Sequence, residues 1–144
     1  MRLITKTATF ALALFATVAI AADATDPAAK ARQELMDTIG MNMKTLGDMA
    51  GGKAAFDGAA AAAAKAAIIA ASADIPVKFE TESADPKSKA LPKIWAEFDE
   101  FKEYGGKLNA AATALDVASL DTLGAGLGAV GGACKECHTE YRGQ

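Results

Sequence analysis

Apolar residues recur along most of this chain at helical spacing, and no stretch alternates in the manner of a strand. After Asp26-Pro27, an N-cap followed by a first-turn proline, Arg32, Met36, Ile39, Met43, Leu46 and Ala50 form one stripe. Leu35 and Met49 lie beside it, and Gly51-Gly52 ends it. A second helix is predicted from about Lys53 to Ser72, with Phe56, Ala60, Ala63, Ala67 and Ala70 on one face and a break at Ile75-Pro76. A polar connector from Val77 to Leu91 follows. Pro92 opens a third helix carrying Trp95, Phe98, Phe101, Gly105, Leu108 and Ala112. Ser119 is the expected N-cap of the last, whose stripe runs Leu120, Leu123, Leu127, Val130, Cys134, Cys137-His138 and Tyr141.

Four amphipathic helices with mostly short links predict an all-α, antiparallel four-helix bundle. Two features are open in the pattern itself. Gly105-Gly106 inside a helix costs about 1 kcal/mol per glycine relative to alanine, and marks either a close approach or a bend. The Ala59–Ala64 run is either plain helix propensity or a smooth face against which another helix packs.

Residues 1–21 read as an address rather than as fold. Arg2 and Lys6 precede an apolar run from Ala8 to Ile20, and Ala19 and Ala21 supply an A-x-A site before polar Asp23. The run falls short of the ~20 residues that span a bilayer, so a cleaved secretory signal peptide is expected, followed by a domain over 22–144. Cleavage would leave 13 basic and 18 acidic residues and a charge of −5, with no dense basic tract for nucleic acid. Composition then alters the picture. Hydrophobic residues make up 51% of the chain, but 36 of them are alanine and only nine are aromatic. Two of those nine, Phe10 and Phe15, belong to the leader. The bundle is short of bulky side chains, and a large apolar group would complete its core.

Both cysteines and the single histidine fall within Cys134-Lys135-Glu136-Cys137-His138. C-x-x-C-H is the signature of covalent c-type haem attachment. Cys134 and Cys137 would form thioethers to the two vinyl groups, and His138 would present a ring nitrogen to the iron from the proximal side. Positions i, i+3 and i+4 share a helix face, so all three are expected to point into the bundle. A thioredoxin-like dithiol belongs near a βαβ pattern, which is absent from the sequence. Zinc needs four ligands where three Cys and His side chains exist. A structural disulfide remains the plain alternative.

A C-terminal C-x-x-C-H on the last of four helices resembles the cytochrome c′ family, the class II c-type cytochromes. The resemblance rests on Arg32-Gln33-Glu34-Leu35-Met36, on Pro92-Lys93-Ile94-Trp95, and on the block from Val130 to Arg142. It implies an exported, periplasmic monohaem protein with one haem c, not an enzyme. Two functional types exist in the family. In the low-spin branch a first-helix methionine, matching Met36, supplies the sixth iron ligand and the protein carries single electrons. In cytochromes c′ proper the iron is five-coordinate and high-spin, and binds nitric oxide or carbon monoxide. The neighbourhood of Met36 resembles the low-spin branch, so Met36 is the expected distal ligand; its plain reading is a core methionine.

Arg32, and Arg142 one turn beyond His138, are candidates for charge-assisted contacts to haem propionates. Their plain readings are a solvated first-turn arginine and a cation complementing a helix C-terminus. Trp95 and Tyr141 are either neighbours of the macrocycle or ordinary core aromatics. Partners would be periplasmic or membrane-bound redox proteins, with no membrane-embedded segment in the mature chain and with scope for a homodimer through the first two helices.

Overall fold

The computed structural model describes residues 24–144; the leader expected at 1–21 lies outside the described residues. Six helices follow in order: α1 Pro27–Ala50, α2 Gly58–Ala73, α3 Ile75–Phe79, α4 Lys93–Ala96, α5 Phe98–Ala114 and α6 Leu120–Tyr141. The four long ones form the bundle. Each packs on two neighbours in the cyclic order α1, α2, α5, α6, with α6 returning to α1.

Local chemistry explains most boundaries. Asp26 caps α1 through its side chain and Ala29 N–H at 2.8 Å, with Pro27 in the first turn. Ser119 and Thr122 form a reciprocal capping box that opens α6. The second helix starts five residues later than expected, at Gly58 rather than Lys53. Asp57 accepts from Ala59 and Ala60 N–H at 2.9 and 3.0 Å, and so ends the loop that begins at Gly51. Phe56 therefore lies in that loop. The buried face of α2 is Ala61, Ala64, Ile68, Ala71 and Ser72, one position away from the expected stripe. A run of alanine has no polarity contrast to set a face, and Ile68 sets it instead. The alanines at 61 and 64 are buried within the chain's own core.

Two further elements differ from expectation. Pro76 does not end helical structure but occupies the first turn of α3, which buries Ile75 and Phe79. The helix expected from Pro92 is broken at Glu97, where φ −126° and ψ 42° separate α4 from α5. Gly105-Gly106 makes no break. A Cβ on Gly105 would lie 3.3 Å from Ile75 Cγ2, whereas Gly106 faces open space, so the pair marks a close approach of α3 to α5.

The core is thin, as the composition implies. Among the described residues the large side chains with almost no exposure are Leu46, Ile68, Ile94, Leu123 and Val130. Phe101 joins them in an aromatic cluster, tilted against Phe79 at 5.0 Å and edge-on to Tyr141 at 5.3 Å. Among the described residues, no helix is long and apolar enough to cross a membrane.

Candidate functional site

Helix α6 carries two adjacent faces of different character. Leu123, Val130 and Tyr141 are buried, and Leu127, Cys134 and Cys137 pack half-buried against the same core. Their spacings of three, four and seven residues make one seam. Gly131, Lys135, His138 and Arg142 follow the neighbouring seam and line a cleft of about 520 Å³ together with Cys134, Thr139 and Gln144.

The expectation that Cys134, Cys137 and His138 all point inward therefore needs correction. His138 is exposed, while the two cysteines are half-buried. Successive residues turn about 100° around a helix axis, so Cys137 and His138 cannot share one direction. Cys137 takes the core side, and His138 takes the cleft side.

The chemistry of the three side chains separates the readings left open above. Cys134 and Cys137 are not joined in a disulfide. Burial pushes the Cys134 thiol above its ordinary value. Burial, with the neighbouring Cys134 second, pushes Cys137 up to about 11. A redox dithiol works through a thiolate of lowered pKa, which is the opposite of this environment. Among the described residues, no three His, Cys, Asp or Glu side chains converge in a metal-binding group. Although His138 is exposed as a residue, the cleft walls strip part of the water from its imidazole and hold it below its ordinary value, and the Arg142 cation acts in the same direction. A neutral imidazole facing an open cleft is a competent iron ligand. Two uncharged thiols and that imidazole fit a c-type haem.

Met36 lies on α1, half-buried, and packs against the same core cluster as Cys134 and Cys137. Among the methionines of α1, Met49 is buried, Met43 is half-buried and Met41 is exposed. The structure thus brings the Met36 helix and the cysteine helix together through α1–α6 packing.

The two arginines part company. Arg142 is exposed at the end of α6, where its backbone N–H donates to the His138 carbonyl at 3.2 Å and its residue lines the cleft. Arg32 is not a solvated first-turn residue, since only 3% of its surface is exposed. Its Nη1 donates to the Thr81 carbonyl at 3.0 Å, and its Nη2 to the Ser83 carbonyl and Oγ at 3.2 and 2.8 Å. The guanidinium also lies over the Phe79 and Trp95 rings. Only Nε remains buried without a partner. The connector thus takes three of the five guanidinium N–H groups, leaving Nε–H and one Nη1 hydrogen.

Sequence reasoning missed Asp85. Its carboxylate accepts from Thr25 N–H at 2.8 Å, Thr25 Oγ1 at 3.1 Å, Asp26 N–H at 2.9 Å and Lys87 N–H at 2.7 Å. These bonds tie the start of α1 to the connector. The Asp85-Pro86-Lys87 turn was a visible signal; the partners sixty residues upstream were not.

A sequence model of the family described as "Cytochrome C'" matches residues 27–142. The chain belongs to the cytochrome c′ family. It is 36% identical over 114 residues to a cytochrome c′ of Rhodopseudomonas palustris, covering 77% of this chain and 78% of that one. It is equally identical, 36% over 115 residues, to cytochrome c-556 of Agrobacterium fabrum, covering 77% of each. The NMR-validated structural model of oxidised R. palustris cytochrome c556 superposes with a TM-score of 0.74 at 30% identity, covering 82% of this chain and 97% of that one. As a class II cytochrome with a four-helix bundle, the chain has haem c as its cofactor.

Proposed function

We propose that this cytochrome is a single-electron carrier in which Cys134 and Cys137 tether one haem c, His138 is the proximal iron ligand and Met36 the distal one. The observation that carries this reading is the meeting of α1 and α6. Met36 and both cysteines pack against one core cluster from facing helices, while His138 stands on the adjoining seam of α6. Haem c, when bound, supplies an iron that accepts and releases one electron, and His/Met ligation raises its potential.

The protein's own part is to hold ligands still. Met36 sits ten residues inside α1 and His138 on α6, and both helices are fixed by packing along their length. Ligands carried on such elements keep one geometry in both oxidation states, which favours rapid transfer. Arg142 borders the cleft and would meet a propionate; for Arg32 that role would rest on Nε–H and the second Nη1 hydrogen.

The leader over residues 1–21 is cleaved after Ala21 in this reading, releasing residues 22–144 to the periplasm, where redox proteins of that compartment or of its membrane are the partners. Residue Met41, 64% exposed on α1, together with exposed Ala62 and Ala63 on α2, supports a homodimer through these two helices. Sedimentation at several concentrations tests it. The rival function is a five-coordinate cytochrome c′ that takes up nitric oxide or carbon monoxide. Protein-film voltammetry with and without carbon monoxide separates the two. The carrier gives a reversible one-electron wave that the gas does not move, whereas a displaced wave supports the gas binder.

A further inference from the structure

The last turn of α6 carries His138, and helix ends fray because their final carbonyls lack intrahelical partners. Here the turn is held from outside the helix. Leu91 N–H donates to the Tyr141 carbonyl at 3.0 Å, and Gly143 N–H donates to the Lys89 carbonyl at 2.8 Å. Between these bonds Ala90 and Arg142 form an antiparallel bridge. Tyr141 itself is buried, edge-on to Phe101 at 5.3 Å and to Tyr104 at 5.6 Å. Its hydroxyl donates to Glu97 Oε2 at 3.3 Å. Lys93 Nζ lies 3.6 Å from that carboxylate, 2.6 Å from Glu140 Oε2 and 5.2 Å from the centre of the Tyr141 ring.

Glu97 is the residue at which α4 and α5 separate. From this position one carboxylate meets both Lys93, four residues earlier, and Tyr141 on α6. We infer that the Tyr141–Glu97 hydrogen bond, backed by Lys93, is a positioning contact that sets the rotation of the last turn of α6 and so the direction in which His138 presents its imidazole. This rests on the reading of His138 as the proximal ligand.

The geometry explains why rotation needs control. A side-chain tip lies about 5–6 Å from a helix axis, so a turn of about 20° moves it by about 2 Å. Metal–ligand distances tolerate about 0.2 Å. The ring packing of Tyr141 fixes depth, but a ring edge against Phe101 and Tyr104 can roll. The hydroxyl contact with Glu97, long at 3.3 Å but backed by Lys93, restricts that roll. Burial, aided by the Glu100 and Glu97 carboxylates, pushes the hydroxyl up to about 12, so it remains a donor throughout the ordinary pH range.

The test uses haem-loaded protein and compares Tyr141→Phe, Glu97→Ala and Glu97→Gln. The readouts are the ferric EPR g-values, the reduction potential and thermal unfolding. Tyr141→Phe and Glu97→Ala are expected to shift the g-values and the potential in a common direction with helix content retained. Glu97→Gln keeps an acceptor oxygen and is expected to stay with wild type. Should Tyr141→Phe load too little haem, Glu97→Ala, an exposed-side change, carries the comparison. Wild-type g-values and potential in both variants would overturn the inference, whatever their melting temperatures. So would a Glu97→Gln shift as large as that of Glu97→Ala, which would assign the effect to lost charge. His138→Ala, run beside them, separates the two levels of the argument. Loss of the wild-type spectrum supports the ligand on which the inference depends, and an unchanged spectrum overturns the ligand reading and the inference with it.

Discussion

The guanidinium carbon of Arg32 lies 5.2 Å from the centre of the Trp95 ring, and Trp95 in turn donates its Nε1–H to the Phe79 carbonyl at 2.8 Å. Arg32 thus joins α1 to α3, α4 and the connector between them. Replacing it by alanine would leave the acceptors at Thr81 and Ser83 without their donor and open space between two aromatic rings. Arg32→Ala is expected to cost about 2–4 kcal/mol in denaturant unfolding. Arg32→Lys is expected to recover less than half, because an ammonium cannot present the planar fork that spans these acceptors.

Gly105 and Gly106 are neighbours with opposite surroundings. Gly106→Ala gains helix propensity in open space and is expected to stabilise the protein by about 0.5–1 kcal/mol. Gly105→Ala requires buried Ile75 to give way by a few tenths of an ångström, and in this packed position an overpacking cost of about 1–3 kcal/mol is expected to outweigh that gain. Thermal melts of the two variants are expected to move in opposite directions.

Asp85 gives stability a defined acid limb. Its four donors hold the carboxyl at about 2, chiefly the N–H groups of Asp26 and Lys87, against an ordinary value of 3.8. A carboxylate with a depressed folded-state pKa contributes fully above its unfolded value, and the contribution is lost as pH falls through the folded one. Stability is therefore expected to decline between about pH 4 and pH 2. In Asp85→Asn this part of the decline should be absent, as read by urea midpoints across that range.

The thin core makes haem a structural component. The Cys134→Ala, Cys137→Ala double variant is expected to lose helicity and melt without a cooperative transition, as followed by far-UV circular dichroism. A variant as helical and cooperative as wild type would show that the helices complete their own core.

How far the chain could be read in advance depended on whether the signal was local. Asp26-Pro27, Gly51-Gly52 and Ser119 announce helix ends through their own side chains or backbone freedom, and all three stand where expected. The four-helix class followed from the same local pattern. The break at Glu97 did not, because no proline or glycine marks it and its partners Lys93 and Tyr141 come from two other elements. Arg32 likewise offered only a propionate contact or a solvated position, because its acceptors lie about fifty residues downstream. In the site, the spacing of Cys134, Cys137 and His138 was legible as chemistry but not as direction. Which side of α6 faces the core depends on Val130 and Tyr141 packing, and that put His138 on the cleft instead.

Ligation of the iron by Met36 is the claim on which the carrier reading turns. It is tested most directly by the visible and near-infrared absorption spectrum of the oxidised protein beside that of Met36→Ala. The wild type is predicted to show sharp low-spin bands with a methionine-to-ferric-iron charge-transfer feature, and the variant to lose that feature and become high-spin. A broad high-spin spectrum in the wild type, or one that Met36→Ala leaves unchanged, would contradict it.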